Sequence, residues 1–253
     1  MLLMVMQKEN EPINYNILKE ELIELYKQEN KKYNYVIFSK INDIRGKLNN
    51  PDIIELILDF ERYVIYNKGS DRFKVEETIL ELLQMHIINL CASTDFDVVL
   101  LNENLVNDTL NIELKNTHRI NFSLLNFAKE IFNISIPRDS YSSRRKGYAL
   151  GIIRKLMEYY EIPNKFELFI EALQSPKNKL IIEALDELHY YFENIQGRHL
   201  PDELLNVLDK IILITKDRTI ATGALNLQVI TRCISKFEAV SRIDDWKEKF
   251  YYD

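Results

Sequence analysis

A chain with only six glycines and six prolines in 253 residues has few places to turn sharply. Sheet-rich folds need a turn at intervals of about 8–12 residues, and glycine and proline supply most of the backbone geometry for such turns. Their scarcity selects long helices joined by short polar loops. The apolar residues agree with this. Through most of the chain they recur at spacings of three, four and seven, which line one face of an α-helix. Ile17, Leu18, Leu22 and Leu25 form one stripe, and Tyr35, Phe38, Ile41, Ile44 and Leu48 another. Pro51 opens a third with Ile53, Ile54, Ile57 and Phe60. Proline suits a helix start because the N–H it lacks would be unpaired there anyway. A fourth stripe, Val75, Ile79, Leu82, Leu83, His86, Ile87 and Leu90, follows the loop Asn67-Lys-Gly69-Ser70, where Gly69 suits a left-handed helix cap. Residues 94–118 break the pattern. Phe96 and Val98 to Leu101 fit a short strand or a buried helix, and asparagine-rich surroundings favour one or two short helices. Helical periodicity resumes at Ile120, Leu124, Phe127, Ala128 and Ile131.

A 46% apolar content fills a core of this size without a disulfide or metal. Cys91 and Cys233 each fall in an apolar, helix-like stretch and read as reduced, buried thiols, which makes a cytoplasmic setting the expectation. Met1 to Met6 is apolar but far short of the roughly 20 residues of a membrane span, and no other uncharged stretch approaches that length. It reads as a frayed terminus or as side chains tucked against the first helix, and no membrane partner is expected.

The second half carries a faint internal repeat. Three helices align in register: Ala149, Leu150, Ile153, Leu156, Met157 and Tyr160; then Ala184, Leu185, Leu188, Tyr191, Phe192 and Ile195; then Gly223, Ala224, Leu227, Ile230, Thr231 and Ile234. The leading small residues are 35 and then 39 positions apart. The preceding helices correspond as well. Ile162-Pro163 matches Leu200-Pro201, and Phe166, Phe169, Ile170 and Leu173 match Leu204, Val207, Leu208 and Ile211. Each unit reads as a proline-started helix, a short polar turn, and a second helix whose small residue lets neighbours approach closely.

This pattern resembles the HEAT and armadillo class, whose units of about 40 residues are stacked helix pairs or triplets. The turn Thr215-Lys-Asp217-Arg218 before Ala221 and Ala224-Leu225, and the turn Ser175-Pro176-Lys-Asn-Lys179 before Ala184-Leu185, carry the resemblance, which spans about residues 119–236. It implies an all-α fold, an α-solenoid of stacked antiparallel helix pairs, with an irregular helical bundle as the alternative. No low-complexity linker divides the chain, so residues 1–253 read as a single continuous helical domain. Residues 1–118 form an acidic, irregular half and 119–253 the HEAT-like half.

Recognisable catalytic patterns are absent. The glycines form no phosphate-binding loop, and Gly147 and Gly151, four apart, fit close helix packing. His86, His118, His189 and His199 lack metal-ligand spacing, so no metal site or cofactor is expected. His86 reads as a core histidine, His189 with Tyr190 and Tyr191 as a packing cluster, and Asp95 and Asp97 as loop or cap residues. There is no Gly-x-Ser-x-Gly elbow, and neither cysteine has a basic neighbour to activate it. No catalytic residue is assigned and the chain is not expected to be an enzyme.

Charge then carries the functional reading. The net charge is −6, and all of the excess lies in residues 1–126, with 14 Lys and Arg against 20 Asp and Glu; residues 127–253 balance at 19 each. Glu20 with Glu24, and Glu77 with Glu81, are four apart and share a helix face, so they are the candidate partner-binding residues for a basic protein. The one local basic feature runs from Arg138 to Lys155, beside Tyr141 and Tyr148. Within it Arg144, Arg145, Lys146 and Arg154 are candidates for anion or nucleic-acid binding; otherwise this face is solvated and paired with Asp139, Glu158 and Glu161. The primary expectation is a non-enzymatic protein–protein interaction module, an adaptor, scaffold or neutralising partner working through its solenoid surface. The alternative is a nucleic-acid-binding HEAT-like protein, since some proteins of the class are alkylpurine DNA glycosylases. Those have a basic concave face with aromatic residues and a carboxylate. This chain is acidic and its single tryptophan, Trp246, lies near the C-terminus, so none of their functional residues carries over.

Overall fold

The apolar stripes become helices almost one for one. The computed structural model describes residues 14–28, 31–67, 72–91, 99–136, 141–194 and 199–251. Among these residues there are twelve helices and one pair of two-residue strands, an all-α protein. The chain divides into two compact units, Met1–Leu82 and Leu83–Asp253.

The first unit is built on α1 (Tyr15–Lys27), α2 (Lys31–Arg45) and α3 (Pro51–Tyr66), with α1 packed on both of the others. Asparagine side chains set the starts of α1 and α3: Asn14 Oδ1 accepts from Ile17 N at 3.3 Å, and Asn50 Oδ1 from Asp52 N at 2.9 Å. Pro51 takes the first helical position, as its sequence context predicts. Leu22, Ile37, Ile41, Ile53, Ile57, Phe60 and Val64 are fully buried or nearly so. Ile17 and Tyr35 are exposed although they belong to apolar stripes; the faces they begin are buried only from Leu22 and Ile37 onward. The unit boundary falls within α4 (Arg72–Cys91), where Val75, Ile79, Leu82 and Leu83 are buried as expected.

The second unit contains β1 (Val99–Leu100), α5 (Glu103–Asp108), α6 (Ile112–Asn133), α7 (Ser142–Met157), β2 (Tyr160–Glu161), α8 (Glu167–Leu173), α9 (Asn178–Asn194), α10 (Asp202–Ile214), α11 (Arg218–Ile230) and α12 (Lys236–Tyr251). The ambiguous stretch holds both of its candidate structures. Val99 and Leu100 pair in parallel with Tyr160 and Glu161, and short helix α5 follows. Two of the asparagines there act as helix caps. Asn102 accepts from Leu105 N at 2.9 Å and Asn111 from Leu114 N at 3.1 Å, starting α5 and α6.

From α6 onward the packing is like that of helical repeats. Helix α6 packs on α7, α8 on α9 and α10 on α11. The second member of each pair forms a layer, α7 against α9 and α9 against α11, while α8 meets α10 and α12 covers α11. Connections of a few residues, 174–177 and 215–217, turn the chain back within the α8–α9 and α10–α11 pairs. Ala149, Ala184, Leu188 and Leu227 are completely buried, which matches the sequence register. At Gly223 an added Cβ would stand 3.2 Å from Leu185 Cδ1, tighter than ordinary contact, so the small residue does let α11 approach α9.

Three details differ from expectation. Helix α7 ends at Met157 and α11 at Ile230, so Tyr160, paired in β2, and Ile234 lie beyond the helices whose apolar stripes they close in the sequence. Pro163 does not start α8. It begins a turn containing Asn164 at φ 54°, and the helix opens only at Glu167; Pro201, by contrast, directly precedes α10. Cys233 is exposed rather than buried. Helix α11 ends at Ile230, Arg232 takes the left-handed φ of 60°, and the turn carries the thiol out of the apolar face. The side chains of His86 and Cys91, and residues Met1 to Met6, Gly69, Asp95 and Asp97, lie outside the described residues.

Candidate functional site

Helix α7 carries the basic candidates and is enclosed along most of its length. Consecutive helical residues are about 100° apart around the axis, so Arg144, Arg145 and Lys146 point in three directions. Arg145 is 2% exposed. Lys146 Nζ sits 4.3 Å over the Phe132 ring and 3.6 Å from Glu171 Oε1. Arg144 faces Glu183 of α9, whose carboxylate it helps to hold in the charged form. Arg154 is buried. Its Nε donates to Glu187 Oε2 at 2.7 Å, its Nη1 donates to Glu158 Oε1, and its guanidinium carbon is 5.9 Å from the Tyr190 ring centre. Lys155 Nζ donates to the Gln84 carbonyl at 3.1 Å.

Arg144 and Arg154 of α7, with Glu183 and Glu187 of α9, form a charged seam between the two helices. Gly147 and Gly151 make room for it: a Cβ at Gly147 would lie 3.2 Å from the Glu183 carboxyl carbon, and one at Gly151 would lie 3.1 Å from Glu187 Oε1 and collide with the Gln84 amide. Burial raises the pKa of Glu183, Asp186 and Glu187; Arg154 opposes this at Glu187, Lys179 at Glu183 and His189 at Asp186. Burial, then the neighbouring Arg154, lowers the pKa of Lys155. The seam places Arg154 between two carboxylates, an arrangement that locks two helices together. The sequence pointed to Glu158, one turn away; Glu187, 33 residues on, is legible only once α7 and α9 are known to pack.

A second polar cluster ties β2 to α6. Tyr160 Oη lies 3.2 Å from His118 Nδ1 and accepts from Asn121 Nδ2 at 2.9 Å. His118 is buried, and burial lowers its pKa, favouring the neutral ring.

The acidic candidates occupy two helices. Glu20 and Glu24 are exposed on one face of α1, with Lys27 Nζ 2.6 Å from Glu24 Oε1. On α4, Glu81 is exposed and Glu77 half-buried, while their neighbour Glu76 is buried. Each pair shares a helix face, as its spacing predicts.

The openings of the second unit lie along its helix pairs. A groove of about 660 Å³ runs between the turn that joins α8 to α9 and the turn that joins α10 to α11. Leu173, Ile181, Val207 and Ile211 line it with Lys210 and Lys216. A second, of about 400 Å³, lies between α10 and α12 and includes Ile212, Leu213, Arg242 and Trp246. Leu213 and Ile214, between the two, are 62% and 75% exposed. Sequence reading missed both grooves, because each is assembled from residues of separate helices. Among the described residues no group of His, Cys, Asp and Glu is arranged to hold a metal ion, and no helix is long and apolar enough to cross a membrane. No family model, curated protein or solved structure matches the chain.

Proposed function

We propose that this protein is a non-enzymatic protein–protein interaction module whose second unit is a short HEAT-like solenoid. The observation that carries the reading is the layered stacking of α6 to α11, which leaves apolar grooves and the exposed Leu213 and Ile214 along the edges of successive helix pairs. Stacked pairs present extended surfaces suited to macromolecular ligands. The interior ion pairs support it too. Arg154 is engaged by Glu158 and Glu187, and this basic segment therefore offers little free charge to phosphate groups. In the first unit, the exposed Glu20 and Glu24 favour a basic surface on a partner. The test is to capture partners from the native cell with the tagged chain, purify the recovered protein separately, and recombine the two. A stoichiometric complex at about 0.15 M salt is expected. Failure of every repurified candidate to form one would contradict the reading.

A further inference from the structure

The groove beside the two intra-pair turns is apolar at its base and basic at its rim. Leu173, Ile181, Val207 and Ile211 form the base, and Ile214 stands exposed at the lip. The two turns are related by the 39-residue offset that also relates Ala184 to Gly223. At that offset Lys177 matches Lys216, Asn178 matches Asp217 and Lys179 matches Arg218. The fold sets these turns side by side, with Asn178 Nδ2 donating to Asp217 Oδ2 at 3.1 Å. Segments 174–179 and 210–218 thus gather Lys177, Lys179, Lys210, Lys216 and Arg218 against Asp217 alone, in a chain whose net charge is −6. Asp217 is already committed: its Oδ1 accepts from Thr219 N at 2.9 Å and Ile220 N at 3.4 Å at the start of α11. Lys210 and Lys216 line the groove, and among the described residues no carboxylate engages either ammonium group.

We infer that this groove binds an acidic peptide segment of a partner protein, seating an aliphatic side chain over Val207 and Ile211 and placing carboxylates on Lys210 and Lys216. The inference rests on the protein-binding reading and names the site and the partner's chemistry. The apolar base favours a peptide over nucleic acid, since a phosphate backbone would leave it uncovered, whereas an amphipathic peptide answers both rim and base.

The test is a random 12-residue peptide library displayed on phage and selected against the immobilised full chain. Enriched peptides are then synthesised and their affinities measured for the natural chain, for a Lys210→Glu, Lys216→Glu double variant and for Ile214→Asp. All three positions are exposed, so the fold should survive, which circular dichroism checks. We expect enriched peptides to pair Asp or Glu with Leu or Ile, and to bind the double variant about tenfold more weakly, as two reversed rim charges allow. Three outcomes would overturn the inference: enrichment of basic peptides, no enrichment, or acidic peptides indifferent to the double variant. Peptides that bind elsewhere, insensitive to all three substitutions, would remove the groove assignment and leave protein binding standing. Single-stranded RNA and duplex DNA serve as the opposing arm, and binding of either that is lost in the double variant would assign the basic rim to nucleic acid instead.

Discussion

Leu188 and Leu227 are the residues on which the repeat register turns. Both are fully buried, one in α9 and one in α11, at the positions the 39-residue offset predicts. Leu→Ala at either should cost about 2–5 kcal/mol in urea denaturation, from lost transfer energy plus the cavity left behind. A loss under about 0.5 kcal/mol at both would show that the layer is not packed as described. Glu183 provides an electrostatic check. Burial raises its pKa in the folded state, so the folded chain keeps that proton to higher pH than the unfolded chain does. Its contribution to stability is therefore fullest below the ordinary carboxylate value of about 4 and is lost as pH rises through the folded value. Glu183→Gln removes that loss. Relative to the natural chain, the variant should become more stable as pH is raised from about 4 to about 7. The opposite trend in paired urea titrations would mean that Glu183 is stabilised as a carboxylate. Arg145 is the residue whose place the sequence hid most completely. Three consecutive basic residues read as a solvated patch, yet helical geometry turns the middle one into the interior.

Individual helices were largely legible, because each rule involved is local. Apolar period gave their faces, and Pro51 gave the start of α3. What local rules left open was decided by pairing at a distance. The two-residue strand at Val99 exists because Tyr160 and Glu161 lie beside it. The start of α8 is delayed by the Pro163 turn, which shows that the two units of the repeat are not equivalent. The turn before α11 shows how much one cap matters. Asp217 starts the helix and accepts from Asn178 across to α9. Asp217→Ala should cost roughly 1 kcal/mol, within the usual 0.5–2 range for a lost cap, with Asp217→Asn milder because its amide oxygen still accepts. Equal stability of the natural chain and the Ala variant would show that this turn is held by something other than its cap. The basic character of the two turns was also present in the sequence, as Lys177 and Lys179 against Lys216 and Arg218. It becomes a cluster only when the 39-residue repeat is folded into adjacent helix pairs.

For the whole molecule, helix dominates, and far-UV circular dichroism should report more than about 60% helix, well above the third typical of globular proteins. Strand above about 15% would contradict the fold. Opposite charges are distributed unevenly, with excess acid in residues 1–126 and a basic rim on the groove of the second unit. Such a distribution suits a binding protein, since complementary surface charge speeds encounter and selects partners. The nucleic-acid alternative makes its own demand on α7. Arg145 and Arg154 are buried, where charge reversal would destabilise the helix layer, so the half-buried Arg144 and Lys146 are the positions at which to test it, with circular dichroism checking the fold. The most direct measurement is therefore a set of titrations of the full chain at about 0.15 M salt, against its repurified protein partner and against duplex DNA, single-stranded DNA and structured RNA. A saturable complex with the protein at sub-micromolar concentration is expected, and none with the nucleic acids. Sub-micromolar nucleic-acid binding that Arg144→Glu abolishes would contradict this expectation.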